Sequence, residues 1–201
     1  MTNYLIEGFR EFRETYYNTP NSLMAKLVQE GQHPDYFIIS CIDSRSNPGA
    51  VFNAKPGAFL GFRSMGAIVR PYSQGNALAA ALQFAIKHAD VRKIIVLGHT
   101  KCGAINALCT HLDDKEILSF VEVANQSLDK AKSYSKTEQE IRENTEKETV
   151  LQSVENLKTY PSVQEALEKG DIVIKPWLFD MVHGDLLEYD YDRKDFCIIS
   201  N

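Results

Sequence analysis

Lys93-Ile94-Ile95-Val96-Leu97-Gly98-His99 runs directly into Thr100-Lys101-Cys102-Gly103-Ala104-Ile105-Asn106-Ala107-Leu108. The first run is short, apolar and rich in β-branched residues, and it predicts a buried strand. The second predicts a helix over about 103–112. Upstream, Tyr36-Phe37-Ile38-Ile39-Ser40-Cys41 repeats the character of the first run and is followed by turn chemistry at Ser46-Asn47-Pro48-Gly49. Another strand is expected over 58–63. An alanine-rich helix over 77–86, apolar on most faces, is expected to be buried. Strand, crossover helix and strand in succession signal a parallel sheet covered by helices.

Outside this centre the pattern changes. Leu5, Phe9, Phe12 and Tyr16 recur three or four apart, which predicts a helix over 4–17, and a second short helix capped by Asn21 or Ser22 runs to Val28. From 113 to 157 the chain is strongly polar, and 136–149 is almost entirely charged or hydroxyl-bearing. Solvated helices are expected there, with a loop near 133–135. Ser162 is expected to cap a short helix to Lys169, which Gly170 ends. Four strands follow, near 172–175, 177–182, 186–189 and 196–199, with a hairpin turn at His183-Gly184-Asp185. The expected fold is one α/β domain over 1–201. It has a central, mostly parallel sheet flanked by helices, an N-terminal helical arm (1–30), and a polar helical segment before the C-terminal strands.

Composition narrows the function. The 201 residues suit one domain, and 44% hydrophobic with 24% charged residues excludes wholesale disorder. Lys and Arg total 22 against 27 for Asp and Glu, so no basic excess exists to displace counterions, and nucleic acid is not an expected partner. No run approaches the roughly 18 apolar residues that span a bilayer. The opening MTNYLIEGFREFRETYY is acidic and interrupted, so neither a signal peptide nor a membrane is expected, and a cytoplasmic location with reduced thiols is. The cysteines at 41, 102, 109 and 197 are then ligands, nucleophiles or core residues.

The chemistry concentrates in Cys41-Ile42-Asp43-Ser44-Arg45 and His99-Thr100-Lys101-Cys102-Gly103. Both stand at the C-terminal ends of expected parallel strands, where open α/β sheets bind ligands. Cys41, His99 and Cys102 can converge on one ion, and two thiolates with an imidazole suit zinc. Three protein ligands leave a position for water, whose pKa zinc lowers toward neutrality. Asp43 either takes the fourth position and closes the site, or is held by Arg45 in a bidentate pair that keeps it open. Cys109 and Cys197 read as core or near-core residues. His33, His88, His111 and His183 read as solvated.

CxDxR followed by HxxCG resembles the β-class carbonic anhydrases, and the similarity covers most of the chain. The resemblance implies that Cys41, His99 and Cys102 hold zinc and that Asp43 and Arg45 form the catalytic dyad. It also implies that Gln32 hydrogen-bonds a substrate oxygen and that the Gly103 N–H faces bicarbonate. The implied reaction is reversible hydration of carbon dioxide to bicarbonate and a proton. The family is typically a homodimer or a multiple such as a homotetramer, with the N-terminal helices embracing a partner and pocket residues shared across the interface. Hydrolysis of carbon disulfide or carbonyl sulfide on the same scaffold is one alternative. Another is a non-catalytic zinc protein, with Asp43 permanently ligated and the 64–67 loop over the pocket.

The chain departs from the family where many members read Arg-Asn-x-x-Asn. Here Arg63 is followed by Ser64-Met65-Gly66-Ala67, without either amide. Some members also carry a Trp–Arg–Val inhibitory bicarbonate site, whose positions here are Ile38, Arg63 and Ser46, so no such site is expected. Two thiolates neutralise the formal charge of zinc, so activity is expected to rise toward alkaline pH.

Overall fold

The computed structural model describes residues 2–199. Two helices, α1 (Thr2–Tyr16) and α2 (Leu23–Glu30), lead into β1 (Tyr36–Cys41), the four-residue α3 (Pro48–Val51) and β2 (Phe59–Ser64). Then follow α4 (Ala77–His88), β3 (Lys93–His99), α5 (Gly103–Thr110), α6 (Lys115–Val121), α7 (Asn125–Tyr134), α8 (Glu138–Leu157) and α9 (Pro161–Glu168). The chain closes with β4 (Val173–Asp180), β5 (Asp185–Asp190) and β6 (Asp195–Ile198). The strands form one sheet in the order β2-β1-β3-β4-β5-β6. The first four are parallel, and β5 and β6 join antiparallel as a meander.

Continuous apolar runs in β1 and β3 reflect burial on both faces. Phe37, Ile39, Ile94 and Val96 point to one side, against Leu82 of α4 and Val150, Val154 and Leu157 of α8. Ile38, Ile95 and Leu97 point to the other, beside Phe52 and Trp177. The parallel register sets Ser40 opposite Leu97 and Cys41 opposite Ser64. Cys41 and His99 are therefore brought to the same edge of the sheet.

Three expectations are corrected. The polar run over 136–149 is not a wholly solvated helix. α8 starts on a capping box at Thr137 and Glu140 and buries Thr145, Glu146 and Thr149 along with its apolar residues. A helix packed over the centre of a sheet next to a polar site can bury hydroxyls and a carboxylate that find partners there, and composition alone does not reveal those partners. α4 buries one face (Leu78, Leu82, Ala85), while Ala80 and Phe84 remain exposed, so it is amphipathic rather than enclosed. The two strands expected on either side of Pro176 are one strand, β4. Pairing of β4 with β5 begins only at Trp177, so the missing N–H of Pro176 falls where β4 still has edge character.

Gly98 sits in β3 directly beneath α8, where a Cβ would collide with Val150 Cγ2 and press on Leu178. Gly98→Ala is expected to destabilise the fold by about 1–3 kcal/mol through overpacking. Denaturant unfolding checks this, and adding Val150→Ala should recover part of the loss.

Candidate metal centre

β1 ends on Cys41 and its neighbour β3 ends on His99. The chain then turns through Thr100 and Lys101 and starts α5 with Cys102 as its N-cap residue. One donor atom from each of Cys41, His99 and Cys102 lies within 4.8 Å of the others. All three residues are buried, at 4%, 2% and 3% exposure. The turn that permits this carries Lys101 in the left-handed region, at φ 58°. A strand-to-helix turn this short leaves both ligand side chains on the same edge of the sheet.

Each side chain is oriented by its surroundings. His99 Nδ1 lies 2.9 Å from the Thr100 carbonyl oxygen, which can only accept, so Nδ1 carries the proton. Nε2, buried and without an oxygen or nitrogen partner, is left with its lone pair in the cluster. Cys41 Sγ accepts from the Gly66 N–H at 3.3 Å and the Asp43 N–H at 3.4 Å. The hydrogen bond from Cys102 holds the Cys41 thiol well below the ordinary thiol range. Burial opposes this, and the Asp43 amide assists it. The same bond, together with burial, pushes Cys102 up, against the amides of Ile105 and Ala104 in the first turn of α5.

Asp43 and Arg45 form the bidentate pair. Arg45 Nε and its backbone N–H reach Asp43 Oδ1 at 3.0 and 2.9 Å, and Nη2 reaches Oδ2 at 2.7 Å. Arg45 holds the carboxyl well below the usual carboxylate range, chiefly through the side-chain bond and against a desolvation cost. Both oxygens are engaged by Arg45, and the grouped donors are the two sulfurs and the imidazole alone. Asp43 is thus paired with Arg45, the second of the two arrangements that the sequence allows.

Gly103 opens α5 beside Cys102, exposed, with nothing within 4 Å of where a Cβ would stand. Its N–H is one that the helix itself does not use. Gln32 is not brought to this group. It lies exposed before β1, whereas Cys41 closes that strand, so the length of a six-residue strand, about 16 Å at roughly 3.3 Å per step, separates them.

Residues outside the two motifs complete the surroundings. Arg63 on β2 donates through Nε to the Cys41 carbonyl at 2.9 Å and through Nη2 to the Asp43 carbonyl at 2.8 Å, fixing the backbone of the first motif. The 64–67 stretch departs in its side chains, yet it supplies a main-chain donor to Cys41 through Gly66, at φ 63°. Glu146 on α8 accepts the Cys102 N–H at 2.8 Å, and burial pushes its carboxyl up to about 7. Only Arg63 was marked by pattern, as a remnant of the inhibitory triplet, and its guanidinium is occupied by these two carbonyls. The others depend on tertiary contacts more than twenty residues apart.

The model of the family described as carbonic anhydrase matches residues 36–186. A carbonic anhydrase of Synechocystis sp. is 32% identical over 96% of this chain and 72% of its own length. Among solved structures, the β-carbonic anhydrase CcaA is 31% identical, with a TM-score of 0.86 over 100% of this chain and 92% of that one. A structure described among tetrameric β-carbonic anhydrases of Sordaria macrospora shares the fold, with a TM-score of 0.77 at 19% identity over 93% of this chain and 94% of that one.

Proposed function

This chain belongs to the β-class carbonic anhydrase family, and we propose that it hydrates carbon dioxide reversibly to bicarbonate and a proton at a zinc ion held by Cys41, His99 and Cys102. The observation that carries the reading is the buried convergence of two sulfurs and a lone-pair imidazole nitrogen beside a carboxylate already engaged by arginine. Zinc fits this donor set, because thiolate and imidazole together suit a tetrahedral, borderline-soft ion with one position open. Bound there, it supplies Lewis acidity that lets water act as a nucleophile near neutral pH.

The chain's own groups do the rest. Asp43 is ionised and turned by Arg45, so it accepts a hydrogen bond from the attacking oxygen and fixes its direction. The Gly103 N–H, at the positive end of α5, donates to oxygen as negative charge develops on it. Gln32 takes part only if a second copy of the chain delivers it. That requirement favours a homodimer or homotetramer in which the 1–30 arm packs on a partner. α1 supports this, since Tyr4, Leu5 and Phe9 are 78%, 73% and 61% exposed. Among the described residues no helix is long and apolar enough to cross a membrane. The need for two reduced thiols favours a cytoplasmic location.

Stopped-flow hydration of carbon dioxide across pH, with metal analysis of the same sample, tests the proposal. Stoichiometric zinc and a rate rising toward alkaline pH are expected. A profile flat from about pH 6 to 9, around the range of zinc-bound water, would contradict the effect of two thiolates. Stoichiometric zinc without turnover at any pH would overturn the catalytic reading.

A further inference from the structure

The His99–Cys102 turn is held from two sides by carboxylates that lie far away in sequence. On one side, Glu146 of α8 accepts the Cys102 N–H at 2.8 Å in a fully buried contact. On the other, Asp180 at the end of β4 accepts from Thr100 Oγ at 3.1 Å, and that hydroxyl in turn accepts the Met181 N–H at 3.0 Å. The Thr100 N–H donates to the Phe179 carbonyl at 3.0 Å. Asp180 is itself fixed by the Val182 N–H at 2.9 Å and by His183 Nδ1 at 2.7 Å. Between the two anchors stands Lys101, a residue with a Cβ in the left-handed region at φ 58°.

Such a conformation is disfavoured for any residue but glycine and persists where its surroundings over-determine it. The anchors also act on the ligands. Thr100 presents the carbonyl that orients His99, and Glu146 grips the backbone of Cys102 itself. Glu146 is only 7% exposed, and its second oxygen has no hydrogen-bond partner among the described residues, along a cavity of ≈ 330 Å³ that Lys101 and Gly103 also line. A carboxylate buried in this way is poor packing material, since an apolar residue of similar volume would hold a helix to a sheet at least as well. Its position is explained by the amide it holds.

We propose that Glu146 and the Asp180–Thr100 pair are positioning residues that clamp the 99–102 turn, hold Lys101 left-handed, and thereby preset His99 and Cys102 for the metal. This rests on the zinc reading above and adds to it how the site is preorganised. Outer partners of metal ligands are typically worth about 10–100-fold in affinity.

The test measures zinc dissociation constants by competition with a chromophoric chelator, alongside thermal unfolding of the metal-free protein. Glu146→Ala is expected to bind zinc about 10–100-fold more weakly than the unmodified chain. Glu146→Gln should stay within about three-fold, because its carboxamide oxygen still accepts from Cys102. Lys101→Gly added to Glu146→Ala should restore part of the loss, since glycine adopts φ 58° without a clamp. If Glu146→Ala does not fold, Thr100→Val decides. It removes one hydroxyl of near-identical shape and is expected to weaken zinc at least about ten-fold. Unchanged affinity in Glu146→Ala, or in Thr100→Val where that variant decides, would overturn the proposal, as would equal losses in the Gln and Ala variants. A merely structural Glu146 would lower the unfolding midpoint and leave affinity alone. Loss of zinc from Cys102→Ser tests the zinc reading separately, whatever the clamp variants do.

Discussion

Cys102→Ser is expected to release zinc almost completely and to abolish hydration with it. Cys102 is 3% exposed, and its sulfur is one of three donors gathered within 4.8 Å. A serine hydroxyl stays protonated where a thiol ionises, and oxygen is harder than sulfur, so the variant offers two ligands in place of three. The loss should exceed the roughly 10–100-fold attached to an outer partner, because a direct bond is removed. The fold should survive. One atom is exchanged in a cluster otherwise built from Ile68, Ala104, Ile105, Leu108, Val121 and Leu128, and the helix start is also held by the backbone bond to Glu146. Metal analysis with circular dichroism separates the two effects. Stoichiometric zinc in folded Cys102→Ser would remove this residue from the ligand set and leave the site, as described, without a basis.

Asp43→Ala should behave in the opposite way. The carboxylate stands outside the donor trio and is bound by Arg45 at both oxygens, so zinc content should stay at the unmodified level. Turnover should fall by about 10²–10⁴-fold, the range associated with a positioned acid–base group. The fall should appear in kcat, because the interaction forms with the attacking oxygen rather than with bound carbon dioxide. Arg45 then loses its partner and turns to solvent, where its charge is inexpensive. Full activity in a zinc-loaded Asp43→Ala would exclude Asp43 from the mechanism.

What was legible in the sequence and what was not divide along the range of the interactions. β1 and β3 declare themselves because burial on both faces writes an unbroken apolar run into most of each, over 36–39 and 94–97. The metal trio and the Asp43–Arg45 pair are legible for a related reason, since each motif is compact and stands where such a run ends. Gln32 was legible as a letter and not as a place. Its spacing to Cys41 says nothing of the strand that carries the two apart. Glu146 was hidden inside a charged run, because its burial is decided by the turn after β3 on which α8 packs, not by its neighbours in sequence. Pro176 suggested a break in the last parallel strand. It is accommodated only because the next strand starts pairing one residue later. Arg63 gave no hint of its two carbonyl partners, which lie about twenty positions away.

The amide that the 64–67 turn lends to Cys41 belongs to the main chain, and a main-chain donor is indifferent to the side chains around it. The sulfur keeps its nest whatever side chain the turn carries at an unconstrained position. Position 66 is constrained in its own right, since its backbone is left-handed and Ile68 and Ala104 crowd the space a methyl would need, and its buried neighbour Ala67 is left-handed too, at φ 54°. The loss of both amide side chains from this turn therefore leaves the support of the Cys41 sulfur intact.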